Sequence, residues 1–199
     1  MKTKVFLITA LLLALFVQPT MCIAQKASTG WKVEDLTDEF GDPTGEAVMS
    51  YYTSGKFSSP NIVSEKTCYV NLFFTKDYGI GFQIVEYGDF YASLYTGVNI
   101  EFKVKTGSGE VKTFMCVPRS QGRLFPYNDE YRGTDVLEFV ELLKKENKLK
   151  CYFRDYNGRS YSFEINCSGF TKSYNKFLTK NQMDNIKVLK TDLLYKLSD

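Results

Sequence analysis

Strict alternation of apolar and polar residues dominates the middle of the chain. Val98, Ile100, Phe102 and Val104 alternate with Asn99, Glu101, Lys103 and Lys105, the period-2 pattern of a strand with one buried face. Four such runs recur across residues 66–117, separated by glycine-containing turns, so this stretch reads as the heart of an antiparallel sheet. Before it, short strands are expected at 31–33 and 46–53, with Ser54 and Gly55 closing the second. Proline and glycine place 35–45 and 57–64 in loops. Cys68, Val70, Leu72 and Phe74 share one face of the next strand, and Ile80, Phe82 and Ile84 form the one after it. Gly79 and Gly81 lack the third glycine and following helix of a nucleotide fingerprint, and read as strand glycines admitting a bulge.

Two hairpins depend on how their turns are read. A two-residue Gly107-Ser108 turn pairs Val104 with Val111 and Phe102 with Thr113, leaving Cys116 on the opposite face. In the last hairpin, a two-residue Asn157-Gly158 turn would set Leu149, Cys151 and Phe153 against the wrong face of Tyr161, Phe163 and Ile165. A three-residue loop, 156–158 with Gly158 left-handed, pairs Phe153 with Tyr161 and Cys151 with Phe163 and is the reading adopted, because the apolar faces then coincide. Between the hairpins, Asp135 and Glu138 form a capping-box pattern ahead of Val136, Phe139, Val140 and Leu143 at helical spacing. Tyr174, Phe177 and Leu178 suggest a short C-terminal helix. Ile186, Leu189, Leu193 and Leu197 leave the final segment open between docked helix and tail. The fold class is mainly β: an antiparallel β-sandwich, one domain over 25–199, with one amphipathic helix and a candidate C-terminal one.

The chain begins Met-Lys-Thr-Lys and is then apolar from residue 5 to 17, shorter than the ~20 residues of a membrane helix. With Cys22 and Ala24 giving a small-x-small site, residues 1–24 read as a secretory signal peptide. Acylation of Cys22 would anchor a lipoprotein and is the one route to a membrane; bulky Met21 disfavours it. The formal charge is +2, and removing Lys2 and Lys4 with the leader leaves 2 − 2 = 0, which does not suggest nucleic-acid binding. Export also bears on Cys68, Cys116, Cys151 and Cys167, an even set expected to form two disulfides. In the chosen register Cys151 and Cys167 are about four residues apart, beyond the ~7 Å Cα reach of a bridge. The connectivities left are Cys68 to Cys151 with Cys116 to Cys167, or Cys68 to Cys167 with Cys116 to Cys151.

Candidate chemistry is sparse. The chain contains no histidine, hence no imidazole base, no Ser-His or Cys-His pair and no histidine metal ligand. Asp35, Asp38, Glu39 and Asp42 crowd one turn, without the alternate spacing and closing glutamate of an EF-hand, and read as a solvated acidic loop. No cofactor or metal is expected. The 14 Tyr and 16 Phe suit a sheet and equally a binding face. Tyr87, Phe90, Tyr91 and Tyr95 form one candidate surface. The connection 118–133, with Arg119, Arg123, Tyr127, Tyr131 and Arg132, forms a second, since long loops in compact domains are often functional.

Leu94, Gly97 and Val98, the Phe-x-Cys at Phe114 and Cys116, the helix near Val136 and the closing Gly169-Phe170 with its following aromatics resemble the invasion-associated locus B family of small exported bacterial proteins. Trp31 and the block from Asp38 to Gly45, Asp-Glu-Phe-Gly-Asp-Pro-Thr-Gly, look similar to other exported bacterial proteins. The resemblance implies a β-sandwich and a non-enzymatic envelope role. The reading is a secreted or periplasmic binding or accessory protein, not an enzyme, whose partner is a protein or glycan of the cell envelope. The alternative is a small glycan-active enzyme working through two carboxylates.

Overall fold

A computed structural model of the chain describes residues 30–61, 64–86, 90–94, 97–129, 131, 133 and 135–188, with Phe90 as backbone only. The expected signal peptide with Cys22, and Leu189, Leu193 and Leu197, lie outside the described residues. Ten strands follow in order: β1 Lys32–Thr37, β2 Pro43–Ser58, β3 Lys66–Thr75, β4 Gly79–Glu86, β5 Phe90–Tyr91, β6 Ile100–Lys105, β7 Val111–Arg119, β8 Arg123–Tyr127, β9 Lys148–Arg154 and β10 Ser160–Asn166. Two helices, α1 Val136–Lys145 and α2 Phe170–Lys180, accompany them among the described residues. No helix among the described residues is long and apolar enough to cross a membrane.

The chain is mainly β as expected, but the expected sandwich is replaced by a closed sheet. The strands run β2-β10-β9-β6-β7-β8-β4-β3, all antiparallel, and β3 returns to β2. That is an eight-stranded barrel, whose interior at this size is just wide enough for side chains to fill. Closure rests on β2, which is far longer than the eight residues its sequence suggests. Its first half pairs with β1 and its last four residues with β10 along one edge, while Met49 to Phe57 pair with β3 along the other. The strand passes straight through Gly55, because a Cβ there would sit 2.6 Å from the Ser162 carbonyl oxygen and 2.8 Å from Phe163 Cβ. Where β1 and β10 part, Trp31 fills the seam: it stacks on Tyr51 at 4.7 Å and donates from Nε1 to the Asn166 carbonyl at 3.1 Å.

Aromatic rings pack the interior. Phe82 lies 4.7 Å from Phe102 and 6.0 Å from Phe163, and Phe153 stacks on Tyr161 at 4.5 Å. Both helices close the same end of the barrel. Asp135 caps α1 by accepting from Leu137 N–H; Glu138 does not complete the capping box but pairs with Lys112 at 2.9 Å. The expected stripe Val136, Phe139, Val140 and Leu143 is buried, and Phe139 meets Phe82, Phe102 and Phe114. α2 brings Phe170, Tyr174 and Phe177 onto Phe74, and Ile186 is buried beyond it.

The β9–β10 hairpin has the expected register, with Phe153 opposite Tyr161, Cys151 opposite Phe163 and Gly158 at φ +80°. The β6–β7 hairpin differs from expectation by one residue. Its loop is also three residues long, with Gly109 at φ +92°, so Phe102 faces Phe114 and Val104 faces Lys112. This register turns Phe114 and Cys116 into the core and leaves Val111 54% exposed; burying the larger ring decides it. Gly81 makes no bulge, since β3 and β4 pair without a shift. It makes room instead for the Phe73 ring, which a Cβ would meet at 2.4 Å.

Among the described residues no disulfide is present: Cys68, Cys116, Cys151 and Cys167 are buried free thiols. Cys68 lies on β3, Cys116 on β7, Cys151 on β9 and Cys167 just beyond β10. Every bridge in the two expected connectivities would have to join strands that are not neighbours in the barrel. Burial pushes the Cys68 thiol up to about 12, with the Glu86 charge adding to it, and Cys167 also to about 12. Thiols held protonated in this way are poor nucleophiles.

If Gly55 is what lets β2 serve two neighbours, Gly55→Ala should lower unfolding free energy by about 1–3 kcal/mol through overpacking, seen as a lower urea midpoint. Gly30→Ala, where nothing lies within 4 Å, should change it by less than about 0.5 kcal/mol.

Candidate functional site

The two sequence-derived surfaces are regrouped by the fold. Tyr87, Tyr95 and Arg132 lie outside the described residues. Tyr91 is exposed on β5 and faces Val85, which in turn faces Tyr69, so two exposed rings flank a buried valine on the outer wall. The expected long connection 118–133 is not a loop: β7 runs to Arg119, a three-residue turn follows, and β8 starts at Arg123. Arg119 and Arg123 face each other across that turn, with Arg123 donating to the Ser120 carbonyl at 3.1 Å and to its hydroxyl at 3.3 Å. The turn and the Tyr91 segment meet at Ile84, whose N–H donates to Gly122 and whose carbonyl accepts from Ala92.

Tyr127 is not an exposed binding ring. It is buried with Met115 and Phe125 in a second, outer cluster backed by Phe73 and Val117. Its hydroxyl accepts from Asn99 Nδ2 at 2.7 Å and reaches Asp129 Oδ2 at 3.5 Å, while Asp129 Oδ1 accepts from the N–H of the fully exposed Tyr131 at 3.1 Å. Asn99 and Asp129 line a groove of ≈ 680 Å³ on the outer wall, within the size range of ligand sites. Tyr127 therefore positions two groove residues rather than touching a ligand itself.

The groove is built mainly by the outward positions of β6 and β9 and by the β9–β10 loop. Glu101 and Lys103 come from β6, Tyr152 and Arg154 from β9, Asp155 and Tyr156 from the loop. Tyr152 is 41% exposed and Tyr156 70%. Asp155 is only 5% exposed. Its Oδ1 accepts from Arg159 N–H at 2.8 Å and holds the hairpin loop, while Oδ2 is buried without a hydrogen-bond partner. Burial pushes the Asp155 carboxyl above its ordinary value, against the lowering effect of the Arg159 N–H and charge, the Asn157 N–H and the Arg154 charge.

Beneath the same end lies a buried polar cluster that sequence reasoning missed. Tyr161 donates to Glu86 Oε1 at 2.5 Å, and Arg159 Nη1 reaches the same oxygen at 3.4 Å. Burial, then Glu86, raises the Tyr161 phenol far above its ordinary value, so it remains a donor. The cluster satisfies the charge that β4 carries into the barrel mouth. Among the described residues, no group of three or more acidic or cysteine side chains is arranged to hold a metal. The crowded acids of residues 35–42 are structural: Asp38 Oδ1 accepts from Phe40 and Asp42 N–H, and Asp35 pairs with Lys180.

The outward Tyr152 and Arg154 were readable from the alternation of β9. The burial of Asp155 was not, because it depends on the loop folding back. Comparison of the chain with family models, curated proteins and solved structures gave no match.

Tyr161→Phe should cost about 1.5–3 kcal/mol, the usual worth of a hydrogen bond to a charged group, in urea unfolding at neutral pH. Asp155 yields a pH prediction. Its native carboxyl keeps a proton above the unfolded value of 3.8, so between the unfolded and folded values the native state binds more protons and stability falls as pH rises. Asp155→Asn keeps an acceptor for Arg159 and removes that slope, so the variant should gain on the parent progressively as pH is raised through this window.

Proposed function

We propose that the chain is an exported, non-enzymatic binding or accessory protein of the bacterial cell envelope, and that it takes its partner in the groove over β6 and β9. The observation that carries this reading is the groove itself, in which the exposed rings of Tyr152 and Tyr156 lie beside charged side chains of β6 and β9. Aromatic faces give contact area at little entropic cost, and charged side chains beside them supply charge-assisted hydrogen bonds to a polar partner. A barrel interior filled with phenylalanine directs binding to the outer wall. The leader pattern of residues 1–24 and the likeness to the invasion-associated locus B family support export, and both bear on where the partner would be met.

A second reading, a glycan-active enzyme, is favoured by one observation. The Asp155 carboxyl is raised by burial in a groove that also holds Glu101 and Asp129, and a pair of carboxyl groups in one cleft is what glycoside hydrolysis uses. Release of reducing ends from an envelope glycan, abolished by Asp155→Asn, would establish it over the first.

Immobilised protein should retain a component of an envelope extract, with Tyr152→Ala and Tyr156→Ala each lowering retention by about tenfold, as for a central aromatic contact. Tyr91→Ala and Arg123→Ala should leave it unchanged. Retention indifferent to both groove tyrosines would overturn this assignment of the surface, and loss on Tyr91→Ala would move it to the β4–β5 wall.

A further inference from the structure

The outer wall that runs from the groove toward the helical end is a charged stripe with an unusual pairing. On β6, β9 and β10 the outward charged side chains are Lys103, Lys105, Lys148, Lys150 and Arg154 against Glu101 and Glu164, five cations to two carboxylates, a surplus of three. Lys105 stands directly opposite Lys150. Like charges in that position destabilise a sheet. Relief is partial, since Glu164 reaches Lys150 at 3.8 Å but is shared with Lys148 at 2.8 Å. One row nearer the groove, Lys103 stands opposite Tyr152, so an ammonium and an exposed ring lie side by side at strand spacing. Tyr152 is held over β10 by its hydroxyl, 3.3 Å from Ser160 Oγ.

Building on the groove reading above, we infer that the ligand is an anionic glycan whose sugar ring stacks on Tyr152 while its acidic groups run along Lys103, Lys105 and Lys150. Charge complementarity argues for the polyanion, because a bound carboxylate would relieve the Lys105–Lys150 repulsion that the free protein carries. The sheet's pairing argues against an extended peptide. Recognition of that kind adds a strand to a free edge, whereas β6 is already paired with β7 and β9, and β9 with β6 and β10. A pyranose needs no main-chain edge: its C–H face packs on a ring, and its carboxylate takes charge-assisted bonds.

The test measures binding of polygalacturonate, dextran and polyglutamate by the full chain at low and at raised salt. Polygalacturonate should bind, weaken as salt is raised, and lose about tenfold in affinity in Lys105→Gln/Lys150→Gln, as expected when opposite charges at an interface are removed. Lys105→Arg/Lys150→Arg should restore it, and dextran and polyglutamate should bind at least about tenfold more weakly. Dextran bound as tightly as polygalacturonate, or affinity indifferent to the glutamine pair, would overturn the charged stripe; if Tyr152→Ala still abolished binding, the groove would survive as the site. Polyglutamate bound equally well would show charge recognition without a sugar and overturn the inference. Failure of the wild type to bind polygalacturonate would overturn it as well, leaving the envelope-extract result to judge the groove on its own.

Discussion

Closure of the sheet through β2 is the constraint on which the rest depends. One strand of 16 residues offers its two edges to three neighbours, and the barrel shuts because β10 takes up the edge where β1 leaves it. Gly55 permits the close crossing, and Trp31 fills the seam with a ring and one hydrogen bond. A closed sheet has no free edges in its wall. The eight-strand circumference then sets an interior that phenylalanines fill, and the two helices with Phe139, Phe170 and Phe177 cover one end.

Filling the inside shifts recognition to the outside. The outer wall has two characters. On the β3–β4–β8–β7 side a second apolar cluster, Phe73, Phe125, Met115 and Tyr127, builds outward and is possible because Gly81 has no side chain. On the β6–β9 side the outward positions are charged or tyrosine, and the groove lies where Tyr127 reaches across to Asn99 and Asp129. The apolar outer cluster thus positions the polar groove beside it. Likewise the Glu86–Tyr161–Arg159 cluster ties β4 to β10 at the mouth, next to the loop on which Asp155 and Tyr156 stand.

The hairpins show what alternation can and cannot resolve. In β9–β10 both faces had only one sensible alignment, because three apolar residues stood on each strand. In β6–β7 Val111 competed with Phe114 for the inward face, and local turn chemistry favoured the wrong one. The outcome depended on Phe139 of α1, which packs on Phe114 from 25 residues away in sequence. The cysteines carried a similar ambiguity. Their number suggested bridges, but whether two thiols can meet depends on how many strands the closed sheet sets between them.

The amino-acid order alone determined the β class, the alternating strands, the α1 stripe and the last hairpin's register, because each follows from the period of apolar residues within one or two neighbouring elements. The tertiary structure alone decided that the sheet closes, that Cys116 and Phe114 face inward, that Tyr127 is buried, and that Tyr152, Asp155 and Lys103 share a groove. Those outcomes depend on contacts between segments far apart in the chain. Local periodicity records which face of a strand is apolar, and carries no information about which strand lies beside it.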